Sequence, residues 1–444
     1  MPGSIQGPSQ PALTVADGRV VDSQGTNPGP NALVTLATGA RLCPGFVDHH
    51  LHLLAMAAAR CSIDLSRARR VTEVFDQLRA GVAAAAAGGW VRAWGIDESD
   101  LAEGRLPTVA ELDAICPDRA LVVHHRTGHA QLLNTAALVR GGTAPPLAET
   151  LLVAALRQLS AELSAAGVVA VTDATHTNDR AALALLDRLL ERAGFAPRVT
   201  AMVGADRLDG CRFGDQVGRV MVGHAKIMPP SCGLDGVASL VAHAHRRGFP
   251  VAVHAVDVDE LQAALDAGIG LGGRGGGDVG GSDRVEHLGL CLPEQLDALA
   301  GRRLSVVTQP TFVTRRARKY RQELSPVELG WLYRLASLQR AGVTVRSCSD
   351  APVVPIGPLE QVRAAATRTL GEFPGRPSER IDVDSAMRLV TSPPLQVGDP
   401  ADFVVLSGDP TVLGPDRLAE VDVWATVQGG MVVHGSLTAR PEEH

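Results

Sequence analysis

Three neighbouring stretches, MVGHAKIM (Met221–Met228), VASLVAHAHRR (Val237–Arg247) and PVAVHAV (Pro250–Val256), decide the fold. The outer two are short, β-rich and almost continuously apolar, while the middle one repeats Val, Leu and Ala at helical spacing. A strand that is apolar along its whole length is buried on both faces, as in a parallel sheet covered by helices. The same alternation runs from about residue 165 onward, with further strands expected at Val168–Thr175, Arg198–Val203, Arg284–Leu288, Leu304–Pro310 and Thr344–Asp350. Helical patterns such as Ala181–Ala193 lie between them. With Arg41–Asp48 near the start the strand count is eight, which predicts an α/β protein of the (β/α)8 TIM-barrel type.

Working outward, Ala120–His124 is one strand too many for the barrel and falls in a long insertion after the first strand, at about residues 60–160. Both ends of the chain are also strand-like: Ala12–Val21 and Ala32–Leu36 before the barrel, Ala401–Leu406 and Val421–His434 after it. Gly429-Gly430 inside the last run is a two-residue hairpin signal. The expected organisation is a barrel over 43–394 and a small β-sandwich assembled from 1–42 and 395–444. The glycine-rich stretch Gly268–Gly281 lacks a Gly-Lys-Ser/Thr ending and is expected to be a surface connection, not a phosphate loop.

The 444 residues carry 42 basic and 48 acidic side chains with no basic block, which argues against nucleic-acid or anionic-membrane partners. The first ten residues hold no Lys or Arg and no apolar run. No segment has the roughly 20 apolar residues a bilayer span requires. Seven dispersed cysteines without a Cys-x-x-Cys pair are expected to be reduced and mostly buried. A soluble, cytoplasmic protein is the expectation, with a small-molecule substrate as partner and a homodimer compatible with the sequence. Of the basic residues only Lys226 and Lys319 are lysine; all the others are arginine.

Function in such a barrel gathers at the carboxyl ends of the strands. Those ends carry His50 and His52, Lys226, His254, His287 and Asp350. Two histidines at i and i+2 of an extended segment face one side, so one ion reaches both imidazoles. Single histidines are commonly satisfied core residues, but their joint placement at successive strand ends points to metal binding. Lys226 would point into an apolar barrel, where a lone ammonium is costly. Arginine could serve as an ion-pair partner for Asp350. Only a primary amine of accessible pKa can add carbon dioxide, and the resulting carbamate offers two oxygens to bridge two ions. His224 shares the face of Lys226 and is expected one layer deeper, in a structural hydrogen bond.

These residues carry a family resemblance. Pro44–His52 (PGFVDHHLH) resembles the Pro-Gly-Phe-Val-Asp-x-His-x-His signature of the amidohydrolase superfamily. Trp90–Ser99 (WVRAWGIDES), Arg126–Leu138 (RTGHAQLLNTAAL), Ser349–Val353 (SDAPV) and Gly398–Leu406 (GDPADFVVL) are similar to the branch that includes YtcJ-like proteins and N-substituted formamide deformylases. The resemblance spans nearly the whole chain. It implies His50 and His52 on the more buried ion, Lys226 as a carboxylated bridge, His254 and His287 on a second ion, and Asp350 as ligand and proton shuttle. It also implies that His129 contacts substrate. The chain departs from the pattern after Lys226, where IMPPSCG stands in place of an Asp-Gly pair, and after His254, where HAVDV replaces His-Ala-x-Gly-Asp. The segment before Gly398 (TSPP, Thr391–Pro394) is also shortened, and none of these departures removes a ligand.

The expected activity is metal-dependent hydrolysis of an amide-type C–N bond, in a linear N-acyl amine or a cyclic amide. One or two divalent ions, zinc the first choice, would lower the pKa of water so that hydroxide attacks. Asp350 would serve as general base and acid, and His287 or the second ion would polarise the carbonyl. His129, Arg126 and Trp94 are the candidate substrate contacts. The alternatives are a mononuclear deaminase or cyclic-amidine hydrolase on the same scaffold, with Lys226 unmodified, and a non-catalytic metal-binding relic.

Overall fold

The computed structural model describes residues 13–22, 32–34, 40–85, 89–271, 281–369 and 377–437. Eight parallel strands form the barrel: β1 (Phe46–Leu51), β2 (Val168–Asp173), β3 (Arg198–Gly204), β4 (Val220–Ile227), β5 (Val251–Ala255), β6 (Asp283–His287), β7 (Leu304–Thr308) and β8 (Thr344–Ser347). They pair in sequence order from β1 to β8. Backbone bonds from Asp350 N to His50 O (2.8 Å) and from His52 N to Ala351 O (2.9 Å) tie the end of β1 to the segment after β8 and bring the ring together. Alternate side chains explain the apolar runs. Val251, Val253 and Ala255 of β5 join the core shared with the helices, while Ala252 packs inside the barrel against Ala174 and Met202.

The first expected strand, Arg41–Asp48, is corrected by the structure, which divides it at Gly45. Arg41–Pro44 pairs antiparallel with Phe403–Leu406, outside the barrel, and β1 begins only at Phe46. At Gly45, where the chain changes sheets, the backbone lies so close to Val169 that only glycine fits; a Cβ would sit 2.4 Å from a Val169 methyl carbon. Starting later, β1 extends to Leu51 and carries His50 within the strand. The eighth strand also ends earlier than expected, at Ser347, leaving Asp350 on the loop beyond it.

The insertion builds a four-stranded sheet in the order Ile63–Asp64, Val91–Ile96, Leu121–His125, Gln131–Leu133. Its own core includes Leu65, Val74, Leu78, Ala93, Leu112 and Val123. Its third strand is the supernumerary one expected at Ala120–His124. Helix Glu149–Ala165 belongs to the barrel layer, since Leu156, Leu159 and Leu163 pack in the barrel core.

Strands from both ends of the chain form two further sheets. Met431–Gly435, Val423–Gln428, Phe403–Leu406 and Arg41–Pro44 make one, and Arg19–Asp22, Leu13–Ala16 and Ala32–Val34 the other. Along Phe403–Leu406, Phe403 and Val405 face the smaller sheet while Val404 and Leu406 face the barrel core. The expected strand at Ala12–Val21 is in fact a hairpin turning at Asp17-Gly18 (φ +49° and +74°). The Gly429-Gly430 turn is a hairpin as the dipeptide signals, and the two turns touch: a Cβ on Gly18 would lie 2.7 Å from the Gly429 carbonyl oxygen. Ala12, residues 35–36 and most of the glycine-rich stretch (272–280) lie outside the described residues. Among the described residues all seven cysteines are free, and no helix is long and apolar enough to cross a membrane.

Candidate metal centre

His50, Lys226, His254 and His287 stand on β1, β4, β5 and β6, His52 one residue past β1, and Asp350 three residues past β8. The barrel's convergence at its carboxyl end brings the six together. Asp350 Oδ1 lies 3.5 Å from His50 Nε2 and 3.3 Å from His52 Nε2, and Asp350 Oδ2 lies 4.0 Å from His287 Nδ1. Ring centroids are 4.8 Å apart for His50 and His287 and 4.5 Å for His254 and His287. His50, His52 and Asp350 each offer a ligand atom, all within 4.8 Å of one another.

Two of these residues hold left-handed backbone conformations that non-glycine residues rarely adopt: His287 at φ +69° and Asp350 at φ +58°. At Asp350 the conformation is held by the bond from Asp350 N to His50 O and by Asp48, which accepts hydrogen bonds from Ser349 N (3.1 Å) and His50 N (3.2 Å).

Each imidazole has one nitrogen occupied or flanked by protein. His50 Nδ1 meets Glu286 Oε2 at 2.5 Å, His52 Nδ1 meets Thr175 Oγ1 at 3.3 Å, and His287 Nδ1 meets Gln309 Nε2 at 2.9 Å. That leaves Nε2 of each for another partner. His254 is the reverse, with Glu260 Oε2 3.9 Å from its Nε2. Glu286 is itself held by Arg284, whose Nε donates to Oε1 at 2.7 Å while Nη2 donates to the His49 carbonyl. Burial, reinforced by the Lys226 charge for His50 and His254 and by neighbouring histidines for His287, holds all three imidazoles well below the ordinary histidine range. They are therefore neutral and carry lone pairs at neutral pH.

Lys226 is 3% exposed, and its Nζ has no hydrogen-bond partner among the described residues. Burial pushes its pKa below the ordinary lysine value, against the opposing pull of Glu286 and Asp350. An orphaned buried amine among neutral imidazoles and a carboxylate is a donor set with a vacancy in its hydrogen bonding, and nitrogen and oxygen donors of these types suit a divalent ion such as zinc.

The three substrate-contact candidates separate. His129 reaches over from the insertion, its ring centroid 6.4 Å from that of His254. Arg126 is engaged within the insertion, paired with Asp100 at 2.5 Å and donating to the Ser66 carbonyl at 3.0 Å. Trp94 lines, with Arg126, a groove of about 1140 Å³ between the insertion, helix Leu53–Arg60 and residues 351–356. His224 Nε2 donates to the Ser282 carbonyl at 3.0 Å, below the centre. The sequence reading did not single out Glu286, Thr175, Gln309 or His176. His176 follows β2, half-buried, where Lys226, His129 and His52 add to burial in lowering its pKa. A charged pair, Arg284 and Glu286, inside an otherwise buried strand was the signal for the first; a histidine past β2 was the signal for the last.

The comparisons with known proteins agree with this architecture. The sequence profile of the amidohydrolase family matches residues 37–434. The chain is 25% identical to an N-substituted formamide deformylase of Arthrobacter pascens, over 91% of this chain and 90% of that one. It is 22% identical to the amidohydrolase YtcJ of Bacillus subtilis, over 89% of each chain. Among solved structures, a metal-dependent hydrolase of Pyrococcus horikoshii superposes with a TM-score of 0.68 at 19% identity, covering 91% of this chain and 95% of that one. The chain belongs to the amidohydrolase family and is a hydrolase of carbon–nitrogen bonds other than peptide bonds.

Proposed function

We propose that the protein hydrolyses an amide-type C–N bond in a small N-acyl amine or cyclic amide, with His50, His52, Lys226, His254, His287 and Asp350 holding one or two divalent ions, zinc by preference. The observation that carries this reading is the orphaned Nζ of Lys226 amid neutral imidazoles. A divalent ion in such a site lowers the pKa of water toward neutrality and polarises a carbonyl oxygen.

The protein's own groups supply the rest. Asp350 Oδ1 faces His50 and His52 while Oδ2 turns toward His287, so this carboxylate is placed to take the proton of the attacking water and return it to the leaving nitrogen. Glu286 accepts the Nδ1 proton of His50 and leaves Nε2 with its lone pair. The neutral amine of Lys226 attacks the carbon of carbon dioxide, forming an N–C bond and releasing a proton. The product carbamate is an anion, and its two oxygens would supply ligands for ions where the amine offers a single nitrogen. His129, from the insertion, contacts the substrate above His254. The free thiols agree with a reducing, cytoplasmic setting.

The mononuclear alternative draws on one observation: His50, His52 and Asp350 form a compact trio without His254. Metal content near one per chain, with an unmodified Lys226 in the intact mass, would select it. The zinc-loaded protein assayed against N-formyl, N-acetyl, lactam and hydantoin compounds tests the reaction class. Release of amine or ring opening in at least one class is expected. Deamination of an aromatic or cyclic amidine with every amide untouched would overturn the proposal.

A further inference from the structure

Gln309 follows β7 directly and is wholly buried, at 0% exposure. Its Nε2 lies 2.9 Å from His287 Nδ1 and 3.0 Å from Cys348 Sγ, while its Oε1 is buried with no hydrogen-bond partner. Which end of this amide faces His287 decides which ring nitrogen carries the proton. If the NH2 group donates to His287, Nδ1 must be bare and the ring proton sits on Nε2. Yet Nδ1 is the nitrogen already taken by Gln309, so Nε2 is the one left for an ion, and a ligand nitrogen cannot carry a proton.

Turning the amide about its terminal bond exchanges the two ends without moving any other atom. Oε1 then stands where Nε2 was, at hydrogen-bond distance from both Nδ1 and Sγ, and its two lone pairs can accept the imidazole N–H and the thiol S–H. The thiol would then turn from the Thr308 carbonyl, which it meets at 3.5 Å and which keeps its bond from Cys348 N at 3.0 Å.

We infer that Gln309 is a positioning residue for His287, its side-chain carbonyl accepting the Nδ1 proton so that Nε2 faces the ion with its lone pair. It does for His287 what Glu286 does for His50, but with a neutral acceptor. This rests on the reading of His287 as a ligand under the proposed function. It assigns to the QP dipeptide after β7 a role in metal affinity and ring orientation, not in contact with substrate.

The test compares zinc affinity, measured by chelator competition, in the wild type, Gln309→Glu and Gln309→Met. A glutamate carboxylate can only accept, so Gln309→Glu should bind zinc like the wild type, while Gln309→Met should bind roughly 10- to 100-fold more weakly. Equal affinity in Gln309→Met and the wild type, or equal loss in both variants, overturns the inference and leaves the metal reading intact. A wild type that takes up no zinc overturns the metal reading itself, and this inference with it. Should Gln309→Met fail to fold, the zinc-loaded wild type labelled with 15N-histidine decides alone. A proton on His287 Nδ1, assigned by its loss in His287→Asn, supports the inference, and a bare Nδ1 contradicts it.

Discussion

In the barrel, His50, His52 and Asp350 bring ligand atoms within 4.8 Å of one another; in the insertion, Asp97, Glu98 and His125 do the same. Both trios are built from histidine and carboxylate, two imidazoles and one carboxylate in the barrel and the reverse in the insertion, but their hydrogen bonding separates them. Asp97 Oδ1 caps a short turn, accepting from Ser99 N at 3.0 Å and Ser99 Oγ at 2.6 Å, and Oδ2 takes Arg316 Nη2 at 2.9 Å. Both nitrogens of His125 are engaged, Nδ1 with Thr127 at 2.8 Å and Nε2 with Glu98 at 3.1 Å. Because Arg316 stands on the segment after β7, this trio latches the insertion to the barrel. In the barrel trio, by contrast, among the described residues Nε2 of both histidines faces only Asp350, and the amine of Lys226 beside it has no hydrogen-bond partner. Proximity of ligand-type residues is common; unspent lone pairs and an orphaned donor are what favour the barrel trio as the proposed ion site.

The largest effect that would break this contrast comes from ligand loss. Replacing His50 and His52 together by Asn should abolish bound zinc and with it turnover, whereas His125→Gln should leave metal content at the wild-type level; metal analysis of both proteins checks the pair. Next is Asp350→Asn, which keeps an amide oxygen for the ion but loses the proton acceptor, and should lower kcat about 10²- to 10⁴-fold, far more than it lowers zinc content. Retained activity there would remove Asp350 from the proton transfer.

A third change addresses the latch. Asp97→Ala leaves Arg316 buried without its carboxylate and should cost about 3–5 kcal/mol of stability in denaturant unfolding, with zinc affinity unchanged. A shift in zinc affinity would mean the two trios are coupled. The smallest effect concerns pH. Burial, with Arg284 adding to it, lowers His224 to about 4 from its ordinary 6.5. Its neutral form is favoured by folding, so its contribution is fully present above pH 6.5 and is lost as pH falls toward 4. His224→Gln keeps a donor for the Ser282 carbonyl and should flatten the fall in Tm across that window; an unchanged pH profile would contradict the assignment.

Much of this was legible in the sequence, for reasons specific to each element. Continuous apolar runs revealed the barrel because both faces of its strands are covered, and the His-x-His spacing and the near-absence of lysine singled out His50, His52 and Lys226. What the one-dimensional pattern could not carry is register and backbone hand. Nothing local at Arg41–Asp48 shows that Gly45 hands the chain from one sheet to another, because the obstruction is Val169, more than a hundred residues away. The left-handed backbone at Asp350 is tied to distant β1 by the bond from Asp350 N to His50 O, and no local pattern marks the one at His287. The pairing of Arg126 with Asp100 and the Ser66 carbonyl was not legible, because both lie in other segments of the insertion. Glu286, Thr175 and Gln309 were hidden for the same reason, since their roles exist only once β2, β6 and β7 stand beside the histidines they orient.

The most direct test of the central claim is zinc stoichiometry in the wild-type protein, dialysed against zinc and then freed of unbound metal. One or two tightly held ions per chain, reduced in Lys226→Met, are expected if the buried imidazoles, the lysine and Asp350 share their lone pairs with a cation. Zinc at trace level in a folded wild type, or full loading that ignores the loss of Lys226, would contradict the account.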